Sequence, residues 1–125
     1  MDKGIESILG KTLSRVSVDR DNNQILFETV DGKTFKMYHD QDCCEHVYIE
    51  DITGDVQDLI SSPILEAEEV TNEDNPLIED DYIPESFTWT FYKIRTIKGG
   101  VTIRWYGTSN GYYSERVDFE EVETN

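Results

Sequence analysis

Both histidines and both cysteines of this 125-residue chain lie within one stretch of eight residues. Imidazole and thiolate groups are preferred ligands of Zn²⁺, which takes four ligands in a tetrahedron at structural sites. The loop-like composition of this stretch would let these side chains converge on one ion. The sequence therefore predicts a structural Zn²⁺ site, and its four candidate ligands are His39, Cys43, Cys44 and His46. The carboxylates that could replace one of the two adjacent cysteines are Asp40, Asp42 and Glu45.

Other interpretations of this cluster stay open. It lacks the C-x-x-C spacing that makes a zinc prediction strong. The same residues also fit a strand end with one inward cysteine, a solvated histidine and surface acids. A small metal-binding enzyme or sensor built on residues 39–46 is a further alternative. The chain has no nucleophile elbow, glycine-rich phosphate loop or H-E-x-x-H motif, so we expect a protein that is not an enzyme.

The spacing of the cysteines bears on their redox state. Adjacent Cα atoms lie about 3.8 Å apart across a trans peptide, below the usual disulfide range of about 4.4–6.8 Å. A disulfide between Cys43 and Cys44 is therefore not expected, and reduced thiols are typical of a reducing compartment. No signal peptide is recognisable at the N-terminus, and no apolar run approaches the roughly 20 residues that span a bilayer. These features predict a soluble cytoplasmic protein.

The net charge of the chain is concentrated in its middle. The formal charge is −16, and the 56 residues from Met37 to Tyr92 contain 16 acids and no lysine or arginine. The rest of the chain is balanced, with 11 acids and 11 bases. A concentrated anionic surface repels nucleic acid and acidic membranes and attracts basic clefts. The alternative is that the acidity serves solubility alone.

The acidic stretch predicts binding to the basic surface of a bacterial nuclease or another nucleic-acid-binding protein, with no direct contact to nucleic acid or membrane. Duplex DNA presents about one negative charge per 1.7 Å of axis, and a strand edge followed by an acidic loop could imitate that density. The predicted contacts are Glu66, Glu68, Glu69, Glu73, Asp74, Glu79, Asp80 and Asp81.

The apolar residues recur mainly with a period of two, which is typical of β-strands. Turn signals such as Asp31-Gly32 and Gly99-Gly100 separate the segments. The extended segments are expected at 13–18, 25–30, 34–38, 47–52, 64–70, 86–97, 101–106 and 112–119, with short helices at 3–11 and 55–60. We therefore predict an α+β fold that is mostly antiparallel sheet, in a single domain covering residues 1–125. A long acidic loop is expected at 71–85 and a frayed tail at 120–125.

Aromatic residues alternate along the predicted strand at 86–97. Phe87, Trp89 and Phe91 share one face, and Trp105 lies in the next strand. Such positions could stack on bases, but the net negative charge opposes nucleic-acid binding. We therefore predict that these four residues belong to the core of the sheet.

Four strings in this sequence resemble a family of small phage and prophage proteins of unknown function. They are HDQDCCE at 39–45, YIEDI at 48–52, SFTWTFYK at 86–93 and SNGYYSE at 109–115. The likeness covers roughly residues 11–119 and implies a phage-encoded cytoplasmic protein. Small acidic phage proteins include counter-defence factors such as anti-CRISPR inhibitors of type II effector nucleases. The resemblance therefore implies an inhibitory DNA mimic, and a minor virion component or assembly factor is the remaining alternative.

Overall fold

The computed structural model describes residues 4–41, 44–72, 86–109 and 114–122. These residues form eight strands and two short 3₁₀ helices. The strands are β1 (Leu13–Asp19), β2 (Gln24–Thr29), β3 (Thr34–Tyr38), β4 (His46–Thr53), β5 (Glu66–Asn72), β6 (Ser86–Thr96), β7 (Gly99–Ser109) and β8 (Asp118–Val122). The 3₁₀ helices are Gly4–Ile8 and Val56–Leu59.

The strands form two antiparallel sheets of four strands each, in the orders β1-β2-β3-β8 and β4-β7-β6-β5. Side chains from the inner faces of both sheets form one hydrophobic core, as in a β-sandwich. The fold is therefore mostly β, and the α+β prediction is wrong. Most of the expected strands nevertheless lie close to the observed ones, and β3 has the predicted bounds. The last one, expected at 112–119, is displaced: residues 114–117 are not in a strand, and β8 begins at Asp118.

Both predicted helices are short 3₁₀ helices. The first begins at Gly4, whose φ is 65°, and is followed by Gly10, whose φ of 83° does not continue a helix. Its apolar residues Ile5 and Ile8 are both buried, because side chains three residues apart eclipse in a 3₁₀ helix. The second helix is capped by Asp55, whose side chain accepts a hydrogen bond from the Gln57 backbone N–H at 2.9 Å.

The inward face of β6 is the opposite of the predicted one. Trp105 lies in the core as expected, and its cross-strand partner Thr90 is also buried. Because side chains alternate along a strand, Tyr92 and Ile94 also point inward, and both belong to the core cluster. Trp89 therefore lies on the outer face, opposite Tyr106, although only 4% of it is exposed.

An aromatic layer forms on this outer face. The ring of Trp89 lies 4.4 Å from that of Tyr106 and 6.4 Å from that of Phe91, and the Arg104 guanidinium stands 5.3 Å from the Trp89 ring centroid. Within the described residues, the Trp89 indole N–H is the one buried side-chain nitrogen or oxygen without a hydrogen-bond partner. The core prediction is thus wrong in its choice of face for Trp89 and Phe91.

The predicted loop and tail boundaries also move. Thr71 and Asn72 belong to β5, and residues 120–122 belong to β8, which pairs with β3. The remainder of the predicted loop, 73–85, and of the tail, 123–125, lies outside the described residues. In the part of the chain that the structure describes, neither helix is long or apolar enough to cross a membrane.

Candidate functional site

His39 and Glu45 form a buried pair at one end of the sandwich. His39 follows β3 and Glu45 precedes β4. The His39 Nε2 atom lies 2.8 Å from Glu45 Oε2, and the two side chains are 5% and 0% exposed. The other ring nitrogen, Nδ1, lies 2.7 Å from the backbone carbonyl oxygen of Arg116. The pair therefore connects three segments that are distant in sequence.

The partners of His39 restrict where its protons lie. A backbone carbonyl can only accept a hydrogen bond, so Nδ1 must be the donor to Arg116. The Nε2–Glu45 contact then needs one further proton, either on the ring as an imidazolium or on the carboxyl group. Both ring nitrogens are thus engaged by protein oxygens, which leaves His39 without a nitrogen for a metal ion in this arrangement.

The other predicted zinc ligands are differently placed. Cys44 is disulfide-bonded, so the expectation of a reduced thiol is wrong for this residue. Cys43, the other cysteine of the chain, lies outside the described residues. His46 is exposed at the start of β4, where it pairs with Thr108.

The described residues do not fit a zinc site. A thiolate is the form of cysteine that binds zinc, and a disulfide sulfur is not a thiolate. No group of three or more histidine, cysteine, aspartate or glutamate side chains is suitably placed for a metal within residues 4–41, 44–72, 86–109 and 114–122. The structural Zn²⁺ therefore stays a prediction from sequence.

A second buried carboxylate lies at the same end of the sandwich. Glu115, which is 8% exposed, accepts hydrogen bonds from the Thr88 hydroxyl at 2.8 Å and the Ser109 hydroxyl at 2.5 Å. A Cβ atom on the adjacent Gly107 would lie 3.0 Å from the Glu115 Cβ and 3.1 Å from a methyl group of Val47. The glycine therefore gives this carboxylate the room that it occupies.

The two buried acids hold the segments around them to the sandwich. Buried polar groups need hydrogen-bond partners, and both acids have them. Sequence reasoning considered Glu45 only as a substitute ligand and did not consider Glu115. A signal was present, because Glu45 is in phase with the buried Val47 and Ile49 of β4. Glu115 is likewise in phase with Val117 and Phe119, both buried.

The predicted partner contacts fall into two groups. Glu66, Glu68 and Glu69 lie on β5, which is an edge strand of its sheet. Glu68 and Glu69 are exposed. The other five predicted contacts lie outside the described residues, and they are Glu73, Asp74, Glu79, Asp80 and Asp81.

Folding places basic residues beside part of the acidic stretch. Strand β5 pairs with β6, so that Glu66 Oε2 lies 3.3 Å from Arg95 Nε and Glu68 is opposite Lys93. Strand β4 pairs with β7, whose Arg104 forms ion pairs with Glu50 and with Asp51. The charge segregation seen along the sequence is therefore reduced on the outer face of this sheet.

Burial and nearby acids raise the pKa values of two tyrosine hydroxyls. Burial, a hydrogen bond to Glu120 and the charges of Glu120, Asp118 and Asp40 raise the pKa of Tyr38 to about 12. Burial raises the pKa of Tyr92 still further, and Glu69 adds to the effect as an acceptor 3.1 Å from the hydroxyl. In both places ionisation would add a negative charge where negative charge is already present.

Comparison with known proteins identifies the family without a function. No curated protein and no solved structure matches the chain. One family profile, described as a domain of unknown function (DUF7448), matches residues 6–119. Because this match covers nearly the whole sandwich, the chain belongs to the DUF7448 family.

Proposed function

We propose that the protein is a non-enzymatic inhibitor that uses an acidic surface to block the nucleic-acid path of a bacterial defence nuclease. The observation that carries this proposal is the stretch of 56 residues with 16 acids and no lysine or arginine. Such a surface would attract a basic cleft and compete with nucleic acid for it. The resemblance to phage proteins suggests a phage-encoded counter-defence role against a CRISPR-type effector.

The edge strand β5 supports the proposal in its spacing of charge. Three of its seven residues are glutamates, and they lie within four consecutive positions. Four residues of extended chain span about 13 Å. A single DNA strand carries one phosphate per about 3.4 Å, so the spacing of the three glutamate charges is similar to the spacing of phosphates. Glu68 and Glu69 are exposed for contact, whereas Glu66 is shared with Arg95.

The test is inhibition of DNA cleavage by a purified type II CRISPR effector nuclease. We expect inhibition that DNA added before the protein prevents. We also expect it to weaken steeply between about 50 mM and 500 mM salt, because the Debye length falls below 10 Å above about 0.1 M. Inhibition that is independent of salt would contradict the electrostatic mechanism, and no inhibition of any such nuclease would contradict this choice of target.

Matched variants separate specific from general acidity. One variant replaces Glu68, Glu73, Asp74 and Asp80 by their amides. The control replaces four acids outside the stretch, all exposed, and they are Glu6, Asp21, Glu120 and Glu121. Both variants lose the same charge, so a loss of inhibition in the first alone would locate the function in the acidic stretch.

A further inference from the structure

The sandwich protects its edge strands unequally. The edge of β4 is capped by side chains: Arg20 donates to the carbonyl oxygens of Ile49 and Glu50 at 3.1 and 3.2 Å, and Asn23 accepts from the Ile49 N–H at 3.0 Å. At the start of β1, bridges to Ile60 and Pro63 cover the edge. Unprotected edges are templates for pairing with another chain, so these caps limit such pairing.

Strand β5 contacts the 3₁₀ helix Gly4–Ile8, but among the described residues no comparable hydrogen-bonded cap covers most of its length. Its first residues adjoin the chain near Ile64, whose carbonyl oxygen accepts from the Gly10 N–H at 2.9 Å. Beyond this point, among the described residues, the backbone of 68–72 receives hydrogen bonds only from its neighbour β6. The side away from β6 is therefore an edge available for pairing.

The charges of β5 select what could pair with this edge. Glu68 and Glu69 are exposed on adjacent positions, so they project to opposite faces of the strand. A second copy of β5 would bring like charges together across the new pair, which is destabilising. An extended segment rich in lysine or arginine would instead be attracted on both faces. The strand therefore disfavours self-association and favours a basic partner.

The second edge with acids is β8, and it is less suited to this role. It has five residues against seven in β5. Its Glu120 lies opposite Lys36 and accepts a hydrogen bond from the Tyr38 hydroxyl at 2.9 Å. Strand β5 lies within the stretch that has no lysine or arginine, and six further acids follow it in the sequence between 73 and 85.

We propose that residues 68–72 of β5 bind an extended basic segment of the partner as an added strand. This inference rests on the proposed function and names the contact by which the acidic surface would hold its target. Backbone hydrogen bonds would supply affinity that does not depend on sequence, and the glutamates would supply the preference for basic residues.

The test uses the full chain and three synthetic peptides in titrations followed by NMR. The first peptide alternates lysine and valine, the second has the same sequence and charge with every backbone amide N-methylated, and the third replaces each lysine by glutamate. We expect only the first to bind well, with new hydrogen-exchange protection at outward-facing amides of 68–72. Glu68→Gln should weaken its binding about two- to fivefold, as loss of one exposed charge pair does. Glu121→Gln on β8 is the matched control and should leave the affinity unchanged.

The other possible outcomes contradict strand addition at β5. Equal binding of the unmodified and N-methylated peptides would overturn strand addition, because an N-methylated amide cannot donate a ladder hydrogen bond. This outcome would not contradict the proposed inhibition through an acidic surface. Protection at β8 in place of β5, or no binding of any peptide, would also overturn the inference. The DNA-cleavage assay with the nuclease tests the proposed function separately.

Discussion

His39 and Glu45 form the most deeply buried acid–base pair among the described residues, with Nε2 of the ring 2.8 Å from Oε2 of the carboxyl group. The Arg116 carbonyl oxygen, 2.7 Å from Nδ1, fixes the ring from the other side. One imidazole thus joins the end of β3, the residue before β4 and the segment before β8. Polar contacts therefore link these three segments at this end of the sandwich.

Replacement of His39 by phenylalanine should therefore destabilise the fold strongly. The substitution keeps an aromatic ring at this position but removes the imidazole nitrogen that contacts the buried Glu45 carboxyl group. Breaking a buried ion pair in this way costs about 3–5 kcal/mol. Chemical denaturation at neutral pH measures the free energy of unfolding. His46→Phe is the control, because His46 is exposed, and it should change that value by no more than about 0.5 kcal/mol.

The double variant His39→Phe/Glu45→Leu provides a second check on the same pair. Removing both charges eliminates the uncompensated carboxylate, so part of the lost stability should return. A double variant less stable than His39→Phe alone would show that Glu45 contributes chiefly through other contacts.

Tyr92 makes the stability of the protein sensitive to alkaline pH. Burial, reinforced by Glu69, raises the pKa of its hydroxyl above the ordinary value of about 10. The neutral form is therefore favoured in the folded state. Its contribution is fully present below the unfolded pKa and is lost as pH rises towards the folded one.

Tyr92→Phe should accordingly reduce the loss of stability above about pH 10. At neutral pH the variant should lose about 1 kcal/mol, because the hydroxyl no longer donates to Glu69 or to the Val117 carbonyl oxygen. Denaturation at a series of pH values measures both effects. Tyr48→Phe on the exposed face serves as the control, and an alkaline slope unchanged in Tyr92→Phe would contradict the assignment.

Local sequence signals predicted most of the strands, but they did not predict which face of β6 is buried. The period of two places β3 at its observed residues, and the turn at Gly32 has the expected positive φ of 91°. In β6, however, both faces carry large rings. Trp89 and Phe91 alternate with Thr90 and Tyr92, and only the docking of the second sheet decides which set is inside.

The buried polar network was beyond local reasoning for a related cause. His39 and Arg116 are 77 residues apart in sequence, and nothing near either residue identifies the other. Charge segregation along the chain was a reliable observation, but antiparallel pairing brings Arg95 and Arg104 beside Glu66 and Glu50. Sequence position therefore overstates how acidic the outer face of β4 and β5 is.

Arg20 should protect the edge of β4 from pairing with other chains. Arg20→Ala removes two hydrogen bonds to the Ile49 and Glu50 carbonyl oxygens. We expect a loss of about 1–3 kcal/mol and concentration-dependent association, measured by analytical ultracentrifugation. Arg15→Ala is the control, since Arg15 forms an exposed ion pair with Glu28 at 3.6 Å. Equal association of the two variants would show that charge loss, and not the exposed edge, causes it.

Gly54 occupies a position at which backbone conformation and close packing both require glycine. Its φ is 101°, and a Cβ atom there would meet the Gly100 carbonyl oxygen and lie 3.2 Å from the Val101 Cα. Gly32 has a similar φ of 91° but has no atom within 4 Å of the same position. Gly32→Ala should therefore cost about 1–2 kcal/mol from backbone strain alone, and Gly54→Ala about 3 kcal/mol or more. Thermal unfolding of the two variants compares them directly. Equal losses would mean that the strand beginning at Gly99 moves aside without cost, and that the packing of β7 against the end of β4 is looser than these distances imply.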